Sequence, residues 1–503
     1  MIDAPSPPEG TARSDPPALS PRLGRVARTI LWLAALGFGI GVLYFVIRPG
    51  QRASGPSSFV FWYAIPALVV LLSVWALRSS VERQVATALL LVSVAGSVFA
   101  TEAVLRAFPL RVAGFSLTTV VADSLCPGEY RRQTGCLAAA EAGRPFNRRS
   151  TLEVVEDLEA RGIEAWPSID ASHYLDPDYA ITVEGRVRVP LSPGIPEVLT
   201  VFCNEAGTWV TYESDELGFN NPGGGHQADE VNVAIVGDSF VHGWCVPVEQ
   251  TLVGRVRESD STVLGLGLEG SGPLIQLGIE REFLTPIRPE VVVWVFFEGN
   301  DLRDLKRELA HEVLPRYLDQ AFSQGLRELM PVLERQLRDQ VMQMRREEVS
   351  RAEGARQALE STRRRRESLA GWLRLTELRS RLRELGKSRV QPQPYDPAMF
   401  EQVTARMRDD VAGWGGTLLF AYMPSHHRFE ESSTANPHRD SILAQVETLG
   451  IPVIDLYEPL SAHPDPLSLY PFRIENHLTA EGYELAAQAV TEGIQAHLAT
   501  VTE

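Results

Sequence analysis

The sequence predicts an α/β fold built on a five-stranded parallel sheet in three layers, and three observations carry that prediction. Five short β-branched or apolar runs, at 231–236, 262–268, 291–297, 417–422 and 452–456, are bounded by Gly, Pro or Asp. Runs without alternating polar residues are what strands covered on both faces require. Segments of helical character fill the gaps, as parallel neighbours need a crossover between them. The first run ends in Gly237-Asp238-Ser239, at the carboxyl end of a strand, where open α/β sheets gather their reactive groups.

Taken in chain order, residues 1–28 are rich in Pro and Ser at their start and read as a disordered cytoplasmic tail. Residues 29–108 hold three charge-free apolar runs, 30–47, 59–77 and 85–101, each about the length a bilayer requires. A signal peptide fits the first run poorly: it follows a long polar leader, lacks a small-x-small cleavage site, and is joined by two more runs. Arg13, Arg22, Arg25 and Arg28 precede the first run, and Arg78 and Arg83 lie between the second and third. The positive-inside rule keeps those segments cytoplasmic and exports everything after about residue 108. Arg48, Arg52, Arg106 and Arg111 pull the other way.

All four cysteines, Cys126, Cys136, Cys203 and Cys245, fall in the exported part. Two disulfides, Cys126–Cys136 and Cys203–Cys245, or four buried thiols are both open, and the compartment decides. No cysteine has metal-ligand spacing. The net charge of −16 argues against a nucleic-acid partner.

Residues 109–230 read as a folded extension, with a helix near 150–161 and a strand near 197–202. The sheet domain is expected from 231–301 and 391–503, closing on a helix over 479–498 for which Thr479 is the N-cap candidate. Between its halves, 302–390 is a charged helical insertion that includes Arg363–Arg366. It reads as a solvated hairpin laced with ion pairs such as Glu360–Arg364, or as a basic arm lying on anionic lipid or an acidic polymer. Because it follows Asp301 directly, it should emerge near the mouth of the site, where a lid or substrate-binding element would sit.

Four segments, VNVAIVGDSF at 231–240, LGLEGSGP at 266–273, VVVWVFFEGND at 291–301 and ENHLTAEGY at 475–483, together resemble the SGNH (GDSL-like) hydrolase superfamily from about residue 232 to the C-terminus. The resemblance implies a flavodoxin-like sheet and hydrolysis or transfer of acyl esters. It makes Ser239 the nucleophile and His477 the base that a weakly nucleophilic hydroxyl needs. The backbone N–H of Ser239, the N–H of Gly270 and the side chain of Asn300 become the oxyanion donors, with Gly267 competing with Gly270. Asp238 reads as structural, bonding the turn's own backbone.

Two departures from the family's pattern stand out. The third block is shortened to Gly299-Asn300-Asp301, and the position three residues before His477, usually Asp, is Ile474. Glu475 is then the carboxylate placed to orient the imidazole, with Asp465 or a backbone carbonyl as alternatives. The segment TYESDELGFNNPGGG at 211–225 resembles the lead-in of some membrane-associated bacterial members. No dinucleotide fingerprint, Walker motif or HExxH is present, His426 and His427 read as loop residues, and no cofactor or metal is implied.

The function expected on this resemblance is that of a serine esterase anchored in the inner membrane by several spans. Its catalytic domain would face the periplasm and hydrolyse O-acyl esters, acetyl above all, on a glycan or related envelope substrate. One alternative is an O-acyltransferase that modifies an exported polysaccharide with an acyl-handling membrane protein as partner. The other is an inactive glycan-binding or scaffold module of an export complex, which Ile474 favours.

Overall fold

Successive residues of a strand point to opposite faces, and in the computed structural model of this protein both faces of each predicted strand are covered. The structure describes residues 20–47, 63–107, 111–112, 115–116, 130–227, 231–367, 395–430, 436–474 and 477–501. They form two compact units, one spanning 1–110 with 364–386, the other the remainder.

In the first unit lie helices α1 (Pro21–Ile47), α2 (Ile65–Leu77) and α3 (Val81–Ala107). Ala27, Leu31, Ala76, Val85 and Ala88 pack between them, while Leu33, Ile40, Leu71, Trp75 and Leu89 stand exposed on their outer faces. Two stretches, Pro21–Ile40 and Val81–Val104, are long and apolar enough to cross a bilayer; α2, with 13 residues, is shorter. The start of the predicted second run, and all but the last residues of the tail, lie outside the described residues.

The second unit opens with the extension. It contains α4 (Tyr130–Glu141), α5 (Thr151–Ala160) and a small sheet of β1 (Ala165–Pro167), β2 (Leu199–Cys203) and β3 (Val210–Glu213), in the order β1-β2-β3. Ser150 caps α5: its Oγ accepts from the Glu153 N–H (3.2 Å), and the Glu153 carboxylate accepts from the Ser150 N–H (2.6 Å), the reciprocal box that satisfies two orphan donors.

The predicted five-stranded parallel sheet follows. Its strands are β4 (Val233–Gly237), β5 (Leu264–Gly267), β6 (Val291–Phe297), β7 (Thr417–Met423) and β8 (Val453–Asp455), in the order β8-β7-β6-β4-β5. Strand β4, which leads into Ser239, sits between β6 and β5, with Gly237 opposite both Val295 and Gly267. Ala234, Val236, Val292, Trp294 and Phe296 face one side, toward α7 (Pro273–Ile279), α9 (Leu326–Glu367), α10 (Pro397–Gly413) and part of the extension. Val233, Ile235, Val291, Val293 and Val295 face the other, toward the one-turn helix α6 (Ser239–His242) and the final helix α11 (Ala480–Val501). Thr479 does cap α11, its Oγ1 accepting from the Gly482 N–H at 3.3 Å. A further short helix, α8 (Asp301–Glu308), begins the insertion.

The described first half of α9 is not a solvated arm. Leu326, Met330, Leu333, Leu337 and Val341 are buried along one stripe, at the helical spacing that makes one face apolar. Its polar face grips the extension: Arg345 forks onto Glu159 with two 2.9 Å bonds, Arg338 reaches Glu164 at 2.7 Å, and Gln340 donates to the Tyr179 carbonyl at 2.6 Å. The side chains of the Glu360–Arg364 pair and of 363–366 lie outside the described residues. The lead-in at 211–225 is likewise tied to the sheet, since the Asn221 amide exchanges both bonds with the backbone of Gly265 in β5, each at 2.9 Å.

Candidate active site

A buried apolar strand running into Gly-Asp-Ser leaves the chain turning sharply at its carboxyl end, and the side chain of Asp238 holds that turn. One oxygen accepts from the Phe240 N–H at 3.0 Å, and the other lies 3.4 Å from the Ser239 hydroxyl. Ser239 thus stands at the first position of α6, as the sequence places it. Gly267 on the neighbouring strand has no room for a side chain, because a Cβ there would lie 2.0 Å from the backbone nitrogen of His242. That close approach is what seats α6 against β5.

Although 238 positions separate them, the Ser239 hydroxyl and His477 Nε2 meet at 2.7 Å. The imidazole lies between Phe240 and Trp244, at ring distances of 4.9 and 5.2 Å. Its other nitrogen, Nδ1, is 3.1 and 3.0 Å from the two carboxylate oxygens of Glu205, which also accepts the His477 backbone N–H at 3.1 Å. With a proton on Nδ1 donated to that carboxylate, Nε2 is left to accept the hydroxyl proton, the division of labour a Ser-His-acid triad requires. Ser239, His477 and Glu205 are each 5% exposed or less, so water screens their interactions little.

Glu205 is the residue sequence reasoning missed. It comes from the extension, just beyond β2. Asp465, the second alternative, pairs instead with Arg473 at 2.9 Å, which holds its carboxyl below the usual range by hydrogen bonding. Glu475 lies outside the described residues. A signal for Glu205 was present in the cysteines: Cys203 and Cys245 are joined as a disulfide, and the Glu205 N–H points at the Cys245 sulfur at 3.2 Å. Cys245 follows Trp244, whose N–H donates to the Ser239 carbonyl at 3.0 Å. The crosslink therefore binds the loop of Glu205 to the turn of Ser239. Cys136 is disulfide-bonded as well, while Cys126 lies outside the described residues.

The oxyanion candidates follow the strands flanking β4. Gly270 turns at φ +70°, a conformation glycine adopts freely, and a Cβ there would approach the Asp170 carboxylate to 2.9 Å. The extension touches this turn too, through the Ala171 N–H to the Glu269 carbonyl at 2.8 Å. Asn300 stands at the end of β6, and its Nδ2 donates to Asp304 at 2.9 Å.

The helix Asp301–Glu308 presents its acids to this half of the site. Asp301 accepts from the Phe297 N–H at 3.0 Å. Glu308 accepts from the N–H groups of Gly272 and Leu274 at 2.5 and 2.9 Å, filling the orphan donors at the start of α7. Burial pushes Asp301 well above the usual carboxyl range and Glu308 up to about 8, with the three backbone N–H groups of Gly272, Leu274 and Ile275 opposing the shift of Glu308.

A second imidazole lies close by without joining the triad. His242 accepts the Tyr212 hydroxyl at Nε2, 2.8 Å away, and lies tilted against Phe202 with ring centroids 3.9 Å apart. Burial, and then the nearby His477, push it down to about 3, so it stays neutral. His426 and His427 lie with Glu430 after β7; His427 Nδ1 is 3.2 Å from that carboxylate.

Among solved structures, the chain is similar to a lipase/acylhydrolase from Enterococcus faecalis, with 15% identity and a TM-score of 0.29 over 53% of this chain and 95% of that one. It is similar to a GDSL-like lipase from Bacteroides thetaiotaomicron, with 12% identity and a TM-score of 0.28 over 53% and 88%. A lipolytic protein of the G-D-S-L family from Desulfitobacterium hafniense gives 12% identity and a TM-score of 0.29 over 52% and 99%. No protein-family pattern and no curated protein matches.

Proposed function

We propose that the protein is a serine ester hydrolase of the SGNH type. The observation that carries this reading is the contact of the Ser239 hydroxyl with His477 Nε2 at 2.7 Å, backed by Glu205 on Nδ1. Ser239 attacks the acyl carbonyl as His477 takes its proton; the imidazolium, stabilised by Glu205, returns that proton to the departing alcohol. Water then releases the acyl group by the same path in reverse. The N–H groups of Ser239 and Gly270 and the amide of Asn300 are the donors for the oxyanion, each worth roughly 3–4 kcal/mol of barrier.

The substrate class is an O-acyl ester, acetyl above all, on an extracytoplasmic glycan or related envelope molecule, with no nucleic acid involved. The exposed apolar faces of α1 to α3 suit a bilayer, and disulfides suit an oxidising compartment, which supports an anchored enzyme whose catalytic unit lies outside the cytoplasm. The test uses detergent-solubilised full chain, a fluorophosphonate probe and a chromogenic acetate ester. Wild-type protein should label and hydrolyse; Ser239→Ala and His477→Ala should lose about 10³-fold or more in kcat. Folded wild-type protein that neither labels nor hydrolyses would leave only a binding module, and transfer of acetyl to an added glycan in preference to water would make it a transferase.

A further inference from the structure

Away from the triad, a cavity of about 270 Å³ opens between the extension and the start of the insertion, lined by Arg186, Arg188, Arg316, Phe322, Ser323 and Gln324 among others, and by no acidic side chain. We propose that it is a binding site for an oxyanion, the phosphate or carboxylate group of a small ligand. The inference does not depend on the ester-hydrolase reading.

Charge is the first argument. The chain carries 64 acidic against 48 basic residues, and several of its part-buried arginines elsewhere in the second unit find carboxylates: Arg281 with Asp410, Arg428 with Glu298, Arg439 with Asp455. Among the described residues, Arg186, Arg188 and Arg316 make no ion pair. Arg188 donates one terminal nitrogen to the Gln324 carbonyl at 3.0 Å, while its Nε is buried with no hydrogen-bond partner. Three guanidinium groups lining one cavity with no carboxylate among them repel one another, and a bound anion relieves that repulsion.

Geometry is the second. Arg316 lies over the ring of Phe322 at 4.0 Å, a cation–π contact that fixes the guanidinium while leaving its N–H edge open. The walls are held from behind. The Gln324 side chain exchanges two bonds with the backbone of Val189, at 2.9 and 3.2 Å. Buried Arg281 donates to the carbonyls of Asp319 and Phe322 at 2.7 and 3.1 Å. The Glu282 carboxylate accepts from Ser323 and Leu326 at 3.0 and 2.9 Å, so the Ser323 hydroxyl is already engaged and the guanidinium groups are the donors. Planar forks on a rigid wall suit the paired oxygens of phosphate or carboxylate better than a spherical halide. The volume lies just below the usual range for ligand pockets, which fits a single anionic group or one sugar acid and not a polymer segment.

Calorimetric titration of the solubilised full chain tests this, with inorganic phosphate in one arm, glucuronate in another and chloride as control. Saturable binding of phosphate or glucuronate is expected, weakened about tenfold or more in Arg188→Gln and in the Arg186→Gln/Arg316→Gln double variant. Arg186 and Arg316 are exposed, so the double variant should keep its fold and its basal ester hydrolysis even if Arg188→Gln does not fold. The stronger arm identifies the ligand chemistry. No saturable binding in either arm, equal affinity in the double variant, or chloride competing on equal terms would overturn the proposal.

Discussion

The parallel sheet and the extension ahead of it contribute to the same site by different physics. The sheet positions Ser239, Gly270, Asn300 and His477 on turns leaving a packed scaffold, where strand order alone brings distant segments together. The extension contributes one carboxylate, Glu205, from a loop beyond a three-stranded sheet, and holds it with a covalent crosslink to the turn that carries Ser239. A scaffold built of repeating units reveals its site through local patterns. A docked segment reveals its contribution only through the partner it docks on.

The sharpest way to break this comparison is Glu205→Gln. If the extension completes the triad, kcat should fall roughly 10³–10⁴-fold with KM little changed, while Glu475→Gln should stay near wild type. The opposite ranking in ester-hydrolysis assays would return the acid to the loop before His477.

Next in size is the crosslink. Cys203→Ser/Cys245→Ser, or reduction by a dithiol, should lower kcat by up to about 10²-fold through misplacement of Glu205. With the two cysteines 42 positions apart, its loss should also cost roughly 4 kcal/mol in chemical denaturation. A stability loss with unchanged kcat would make the bond structural only.

The oxyanion side provides a contrast within the sheet domain. Burial raises Glu308 to about 8 in the folded chain, above the unfolded value near 4.5, so between those values the folded state holds a proton that the unfolded state has lost. Its contribution to stability is therefore fully present below about pH 4.5 and declines as pH rises to about 8, by at most about 1.4 kcal/mol per unit. Glu308→Gln should flatten that decline in urea midpoints measured across the range.

The smallest expected effect lies far from the chemistry. Ser150→Ala removes the cap of α5 and should cost about 1 kcal/mol, visible as a lower thermal midpoint and leaving kcat intact. A matching fall in kcat would mean that the extension transmits its local stability to Glu205.

These differences explain what was legible. The strands could be read because burial on both faces leaves uninterrupted apolar runs, and all five occur close to their predicted bounds. Ser239 and His477 could be read because the turns that present them are short and fixed by neighbours in sequence, such as Asp238 for the serine. Glu205 could not, since nothing local distinguishes a carboxylate two residues past a cysteine; only the Cys203–Cys245 pairing, one of two open readings, placed it beside Ser239. The insertion misled for a related reason. Arg338 does make an i,i+4 pair, with Glu334, but it also reaches Glu164, and Arg345 reaches Glu159, both far away in the chain.

The bond between Cys203 and Cys245 also sets an order of maturation. While both residues remain thiols, as they would in a reducing cytosol, Ser239 and His477 can meet, but Glu205 is held by its hydrogen bonds to His477 and by no covalent tie. On the proposed ester-hydrolase reading, oxidation is then the step that fixes the triad, and activity should rise as the crosslink forms.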